Sequence, residues 1–330
     1  MSEEAVSRGL RLVGGGLIVL ELAIQQAGFG VSSRVDPLAA ALWMSIFGSV
    51  LLVGYVLLVE YVRGKGSLGI TEFGAEMWVP IVRTAFSNGV IGVAYVIAVA
   101  KLGLGVTAAI VALGPLSVGF WGILKSLKDE QRSRRVWAWE QLALRVAAFG
   151  GVVMVNQPWH WLDDFSAATL IGLVAAVASA VCFWNYIVCV FGKMDETKTK
   201  GGLAVANVLS VPLTVFAVWL TGKFMGGGLQ VAFSKDVIVT GVIAGVLAIT
   251  VPAILQDWAT GKVSDRVTGV LYLLDSPIAA FIGVAGVFFG LLSDNQAAGL
   301  WVWGGIAIVV LAALRVTLKG DQPKSVIASA

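Results

Sequence analysis

Runs of about twenty apolar residues recur along the chain, and no other feature constrains its fold as strongly. A helix of about 20 residues crosses the hydrocarbon core of a bilayer. Hydrophobic residues make up 58% of the 330 residues and charged residues 13%, about half the charged fraction of a soluble domain. The sequence therefore predicts an all-α membrane protein with ten transmembrane helices. The predicted spans are 10–31, 37–60, 78–100, 105–125, 136–156, 167–191, 203–224, 236–258, 265–291 and 297–318.

The stretch from Tyr95 to Leu124 has an echo in the second half of the chain. The aligned residues are Lys101 with Lys262, Ala98 with Ala259, Val106-Thr107 with Val267-Thr268 and, after one extra residue, Pro115 with Pro277. Ten spans then divide into two five-helix repeats, 1–157 and 158–330. Because five is odd, the second repeat enters the membrane from the opposite side, and the two repeats are predicted to be inverted.

Lysine and arginine are unevenly distributed between the two sides that this topology creates. With the amino terminus inside, 17 of the 23 basic residues fall in cytoplasmic segments, and Arg83 and Arg145 lie within spans. The four in outer segments are Arg34, Lys101, Lys223 and Lys235. Basic residues favour the cytoplasmic side of a membrane. We therefore expect a multi-pass protein of the plasma (inner) membrane with both termini cytoplasmic.

Two motifs carry a family resemblance. They are Ala98-Val-Ala-Lys-Leu-Gly-Leu-Gly-Val-Thr-Ala-Ala-Ile-Val-Ala-Leu-Gly-Pro115 and Asp275-Ser-Pro-Ile-Ala-Ala280. With its ten spans, the chain resembles the EamA family of the drug/metabolite transporter superfamily from about Leu12 to Leu318. Within that family it is most similar to threonine/homoserine exporter-type carriers. The resemblance implies two EamA-like repeats in one bundle, and export of amino acids or related small metabolites in exchange for protons.

Two carboxyl groups inside predicted spans are candidates for proton coupling, because a polar side chain in a bilayer is costly. Glu21 shares a helix face with Gln25. Asp275 continues a polar stripe formed by Thr268 and Tyr272. Desolvation favours the protonated form of a carboxyl group, so proton release and substrate binding compete for it. The structural alternative is a buried carboxyl group that only holds neighbouring helices or backbone groups together.

Other polar residues and prolines inside the spans extend the candidate site. Asn88, Tyr95, Asn185 and Tyr186 suit a small zwitterion or neutral polar solute, or they join helices by hydrogen bonds. Four prolines fall inside predicted spans and are expected to kink or break them, as happens where helices line a cavity. They are Pro115, Pro212, Pro252 and Pro277.

Several function classes are excluded by what the sequence lacks. It contains no P-loop, zinc signature, nucleophile elbow or dinucleotide fingerprint, so we expect no enzyme, ATP-driven pump, metal, cofactor or nucleic-acid partner. Cys182 and Cys189 lie one heptad apart on one predicted helix, too far apart for a disulfide. The resemblance places the helix that carries Arg145 at the edge of the bundle, which favours pairing or a homodimer contact of Arg145 over substrate binding.

The favoured hypothesis is a secondary carrier that works by alternating access, with a small-molecule substrate and the lipid bilayer as partners. Two alternatives stay open at this point. One is uptake of a sugar or another nutrient, and the other is a membrane scaffold that handles lipid without transport. A water-filled cavity at mid-depth would favour a carrier, and a solid core would favour the scaffold.

Overall fold

The computed structural model describes residues 3–32, 35–62, 74–102, 104–128, 132–157, 166–194, 201–225, 232–260, 262–288 and 300–319. Within these ranges the regular structure is helical, without a β-strand. Six segments are continuous helices: α1 (Glu3–Ser32), α2 (Pro37–Val62), α3 (Ala75–Leu102), α5 (Arg132–Asn156), α7 (Gly202–Met225) and α10 (Leu300–Lys319).

The other four segments change helical geometry along their length. The segment α4 consists of Leu104–Val111, Leu113–Ser117 and Phe120–Leu127. In α6, Ala167–Ile187 continues into a π-helical turn, Val188–Lys193. The segment α8 consists of Lys235–Gly245, a π-helical turn Val246–Thr250 and Val251–Ala259, and α9 of Asp265–Leu271, a 3-10 turn Tyr272–Leu274 and Asp275–Phe288.

Seven of the described helices are long and apolar enough to cross a membrane: α1, α2, α5, α6, α7, α8 and α10. An eighth is added if the two parts of α4, Val106–Ser117 and Phe120–Leu127, form one span bent by 56°. The predicted third and ninth spans, which correspond to α3 and α9, are not among them. The chain thus has the helices of a multi-pass membrane protein, and ten crossings stay a prediction.

Four segments begin at a side chain that accepts a hydrogen bond from the first turn, as helix N-caps do. Asp36 accepts from the Ala39 amide at 2.8 Å at the start of α2. Ser166, Ser234 and Ser264 cap α6, α8 and α9 in the same way. These caps explain why the structural boundaries fall within a few residues of the apolar runs.

The packing of the helices follows a regular pattern. The helix α3 packs along α6 and α7, and α8 packs along α1 and α2. Further extensive contacts are between α5 and α10, between α2 and α7, and between α4 and both α5 and α6. Exchanging α1–α5 for α6–α10 in order converts the contact α3–α6 into α8–α1 and α3–α7 into α8–α2. The contacts α5–α10 and α2–α7 convert into themselves.

The helices α5 and α10 touch through glycine. A Cβ atom added at Gly151 would lie 2.8 Å from the carbonyl oxygen of Gly305, and one added at Gly305 would lie 2.5 Å from that of Gly151. Only residues without a side chain allow such an approach, which recurs between membrane helices. An ion pair between Arg315 of α10 and Glu140 of α5, at 3.0 Å, joins the same two helices.

Three of the four prolines lie where a helix changes geometry. Pro115 lies in the short middle piece of α4. Pro252 is the second residue after the π-helical turn of α8, and Pro277 is the third residue after the 3-10 turn of α9. Pro212 differs, because α7 continues past it without a break. The interruptions in α8 and α9 lie beside the cavity described next.

Candidate functional site

A cavity of about 130 Å³ lies inside the bundle, and both halves of the chain line it. A volume of this size holds several water molecules or a small solute. None of the described residues that line it is charged. Its apolar wall includes Met44, Ile91, Phe183 and Ile249. Its polar residues are Gln25, Ser45, Asn88, Tyr186, Asn207, Ser210, Thr214, Gln256 and Tyr272.

Four of the nine residues predicted for substrate binding line this cavity: Gln25, Asn88, Tyr186 and Tyr272. Asn88 lies midway along α3 and contacts Asn207 of α7, with 3.4 Å between its amide nitrogen and the amide oxygen of Asn207. Gln25 points toward the carbonyl oxygen of Ala248 at 3.5 Å. That carbonyl lies four residues before Pro252, which has no N–H to donate to it.

Sequence reasoning missed the other polar lining residues, which are Ser45, Asn207, Ser210, Thr214 and Gln256. An amide inside an apolar run was the available signal for Asn207 and Gln256. The hydroxyl residues carried no such signal, because serine and threonine satisfy their hydrogen bonds within their own helix. Thr214 does this by donating to the Ser210 carbonyl at 3.1 Å.

The side chain of Gln256 is the centre of a buried hydrogen-bond network at one end of the cavity. Its Nε2 donates to Glu21 Oε1 at 3.0 Å and to the Tyr272 hydroxyl at 2.8 Å. Its Oε1 accepts from the hydroxyl of Tyr186. The four residues come from α1, α6, α8 and α9, so the network joins both halves of the chain. Phe183 packs edge-on against the Tyr272 ring at 5.0 Å.

Glu21 is fully buried behind this network and does not line the cavity. Its Oε2 has no hydrogen-bond partner among the described residues, and no cation of the described part of the chain forms an ion pair with it. A buried carboxylate without a cation is costly. The residue can change its charge only by exchanging a proton, which is the chemistry that the sequence predicted for this position.

Asp275 lies outside the cavity, at the first residue after the 3-10 turn of α9. Its Oδ1 accepts a hydrogen bond from Gln26 Nε2 at 2.5 Å. Its charge acts on both Glu21 and Tyr95. The two predicted proton-coupling residues are thus electrostatic neighbours, although only Glu21 is linked by hydrogen bonds to the cavity. Tyr95 is half-buried and does not line the cavity.

Asn185 and Thr268 are not brought to the cavity. Asn185 accepts from Arg83 Nε at 2.9 Å and donates to Ser87 Oγ at 2.7 Å, so its amide joins α6 to α3. This is the helix-joining alternative for an intramembrane amide. Thr268 is fully buried in α9, and its hydroxyl has no hydrogen-bond partner among the described residues.

Arg145 is buried inside the bundle rather than exposed on a dimer surface, with 1% of its surface exposed. Its guanidinium group donates to the carbonyl oxygen of Leu116 at 2.9 Å and to that of Arg266 at 3.0 Å. Leu116 lies beside the break in α4, and Arg266 lies in the first turn of α9. Pairing was one of the two sequence alternatives for Arg145, and it is the one observed.

Metal-binding side chains do not cluster in the described residues: no group of three or more His, Cys, Asp or Glu is present there. Cys182 and Cys189 are both buried and reduced. The polar groups that could hold a solute are therefore amides and hydroxyls. Such groups bind a neutral or zwitterionic molecule through hydrogen bonds.

No family model matches the chain, and no curated protein is similar to it. Among solved structures, one described only as "Crystal structure of protein" is similar, with 17% sequence identity. The similarity covers 94% of this chain and 98% of that chain, with a TM-score of 0.63. At this level of identity the comparison shows a shared fold and nothing of function.

Proposed function

We propose that this protein is a secondary carrier of the EamA type that exports amino acids or related small metabolites in exchange for protons. Two inverted five-helix halves would alternate access to the central cavity. The observation that carries this proposal is a cavity between the halves, lined by polar and apolar side chains and joined by hydrogen bonds to a buried carboxyl group. A carrier needs both features: a place for the solute, and a group that changes charge in contact with that place.

The packing pattern supports the inverted repeat. A two-fold operation that exchanges the halves is expected to convert the most extensive contacts between helices into one another or into themselves. This exchange converts α3–α6 into α8–α1 and α3–α7 into α8–α2, and it converts α5–α10 and α2–α7 into themselves. The interruptions in α4 and α9, the fourth segment of each half, agree with the same operation. Transporters with inverted repeats bind solutes near the interface of the two halves, often beside interrupted helices.

A cavity lined by both halves favours a carrier over a scaffold without transport. The uptake alternative, for a sugar or another nutrient, differs from export in direction as well as in substrate. Flux in right-side-out and inverted vesicles separates these two alternatives.

A substitution that fills the cavity tests the proposal. Gly92 lines the cavity, and a Cβ atom added there would meet nothing within 4 Å. We therefore expect Gly92→Leu to fold and to abolish counterflow of labelled amino acids in proteoliposomes, because its side chain occupies the solute volume. The matched control is Gly54→Leu, at an exposed glycine of α2 that also has open space around it.

Counterflow is measured with amino acids, sugars and nucleosides in turn, on the wild type and both variants. Exchange of amino acids by the wild type and by Gly54→Leu, with none by Gly92→Leu, supports the proposal. Equal counterflow in Gly92→Leu and the wild type would show that the cavity is not on the transport path. A wild type that exchanges only sugars or nucleosides would replace the proposed substrate class.

A further inference from the structure

Gln256 lies between the cavity and the buried Glu21. It lines the cavity, whereas Glu21 does not. Its amide uses both N–H groups, one on Glu21 Oε1 and one on the Tyr272 hydroxyl, and its oxygen accepts from the Tyr186 hydroxyl. An amide has two donor hydrogens and one oxygen, so every group of this side chain is engaged. The amide oxygen has a second lone pair, so a solute that donates a hydrogen bond can join the network, whereas one that accepts must replace an existing bond of the amide N–H groups.

The direction of these hydrogen bonds depends on the proton of Glu21. A charged carboxylate only accepts, which fits the observed arrangement with Gln256 Nε2 turned toward Glu21. A protonated carboxyl group has an O–H that needs an acceptor. Half a turn of the amide exchanges its oxygen and nitrogen, so that the oxygen faces Glu21 and the nitrogen faces Tyr186. Both tyrosine hydroxyls donate and accept, and each can follow the reversal.

We propose that Gln256 is a positioning residue whose side-chain amide reverses when Glu21 gains or loses a proton, and that this reversal changes the hydrogen bonding offered to the cavity. With Glu21 charged, the amide oxygen and Tyr186 face the cavity, and they suit a solute that donates hydrogen bonds, such as an ammonium group. With Glu21 protonated, the amide presents N–H groups instead. Protonation of Glu21 and binding of an ammonium group in the cavity therefore exclude each other, although the two groups are not in contact.

The groups that surround Glu21 are compatible with this exchange. From α9, Tyr272 lies beside the carboxyl group and Asp275 adds a second negative charge. From α6, Tyr186 reaches it through Gln256. The helix α8 contributes the neutral Gln256. On α10, Arg315 pairs with Glu140 instead, and no charged group of the described parts of α2 acts on Glu21. Among the described residues, therefore, no nearby cation fixes Glu21 in its charged state.

This inference rests on the proposed function, and its test measures the pH dependence of binding as well as transport. The probe is labelled L-threonine, bound to the purified full-length protein over a pH series. We expect wild-type affinity to fall as the pH is lowered, by at most about tenfold per pH unit for a single proton. Gln256→Met keeps the side-chain length but has no amide, and its affinity is expected not to change with pH. In the wild type, 3-hydroxybutyrate, which lacks the ammonium group, is expected not to lose affinity at low pH.

Gln141→Met is the matched control, because Gln141 is a buried glutamine of α5 outside the cavity. It is expected to keep the wild-type pH profile. If the wild type exchanges threonine and Gln256→Met keeps the wild-type slope, the inference fails and the proposed function stands. The proposed function fails if the wild type neither binds nor exchanges threonine and Gly92→Leu behaves like the wild type with every amino acid. In that case the inference fails as well.

Infrared difference spectroscopy of the wild type gives a second test that needs neither a solute nor a folded Gln256 variant. The carboxyl band of Glu21 is identified as the one that Glu21→Gln removes. Isotope-labelled glutamine marks the side-chain amide bands. We expect the carboxyl band and one labelled amide band to change together over the same pH range. A carboxyl band that changes while every labelled amide band stays constant would overturn the reversal.

Discussion

The segments α4 and α9 occupy corresponding places in the two halves and share an interrupted backbone, but different chemistry surrounds their interruptions. In α4 the chain turns by 56° around Gly119, whose φ is +72°. In α9 a 3-10 turn at Tyr272–Leu274 separates two α-helical pieces. Each segment carries a proline near its interruption, Pro115 and Pro277.

The difference lies in the charged groups. Beside the break in α4, the carbonyl oxygen of Leu116 is held by the guanidinium group of Arg145, which stays charged at any physiological pH. Beside the turn in α9 are the carboxyl groups of Glu21 and Asp275, the two residues proposed for proton coupling. Similar backbone geometry thus lies beside a fixed charge in α4 and beside titratable groups in α9. We infer that α4 is braced and that the charge state of the bundle changes at the groups beside α9.

Removal of Arg145, whose hydrogen bond braces α4, is expected to have the largest effect. In Arg145→Leu the carbonyl oxygens of Leu116 and Arg266 lose charge-assisted hydrogen bonds inside the bundle. Each such bond contributes about 1.5–3 kcal/mol, so a loss of at least about 3 kcal/mol in unfolding free energy is expected, measured by thermal unfolding in detergent. Arg135→Leu, at an exposed arginine of the same helix, is the control and is expected to melt like the wild type. If both variants melt alike, Arg145 is not a brace.

The next largest effect concerns transport and not stability. Glu21→Gln keeps the shape of the side chain and removes its proton exchange, so proton-driven flux should lose its dependence on pH while threonine counterflow persists. The measurement is exchange in proteoliposomes with and without a pH gradient. Asp275→Asn is the companion variant. It should retain most of the pH dependence, because Asp275 acts on Glu21 only through space. The assignment fails if Asp275→Asn removes the pH dependence and Glu21→Gln does not.

The contact between the two interrupted segments gives the third prediction. A Cβ atom added at Gly269 of α9 would lie 2.6 Å from the carbonyl oxygen of Pro115 and 2.9 Å from Cβ of Val118, both in the break of α4. Gly269→Ala must therefore push the segments apart, and overpacking of this kind costs about 1–3 kcal/mol. Gly150→Ala, with nothing within 4 Å of the added atom, is the control in thermal unfolding. Equal stability of both variants would mean that the two segments are free to separate.

The helices could be predicted from the sequence because the length of an apolar run determines whether it can form a membrane-spanning helix. The predicted spans 37–60, 136–156 and 203–224 correspond to Pro37–Val62, Arg132–Asn156 and Gly202–Met225. The π-helical turns of α6 and α8 could not be predicted, since a run of apolar residues looks the same in either geometry. The ninth predicted span, 265–291, extends past Phe288 into residues outside the described part of the chain.

The candidate site was only partly predictable, because a polar residue in an apolar run does not reveal which way it points. Neighbouring positions on a helix differ in direction by about 100°, so the sequence pattern does not say which of Asn185 and Tyr186 faces the cavity. Tyr186 does, and Asn185 turns toward Arg83. Gln25 and Gln26 divide in the same way, between the cavity and Asp275. The direction is decided by tertiary packing, which the pattern of one helix does not contain.

The smallest predicted effect separates the two tyrosines that share Gln256. Tyr272→Phe removes the oxygen that accepts from Gln256 Nε2 in the 3-10 turn of α9, whereas Tyr186→Phe removes the hydroxyl that donates to Gln256 Oε1. Each loss of one neutral hydrogen bond is worth about 1 kcal/mol, which corresponds to roughly a fivefold change in threonine affinity. If α9 is where the charge state changes, Tyr272→Phe alters the pH dependence of binding, while Tyr186→Phe lowers affinity equally at every pH. If both variants show the same pH profile, the change of charge involves the whole hydrogen-bond network, and α9 does not differ from its surroundings.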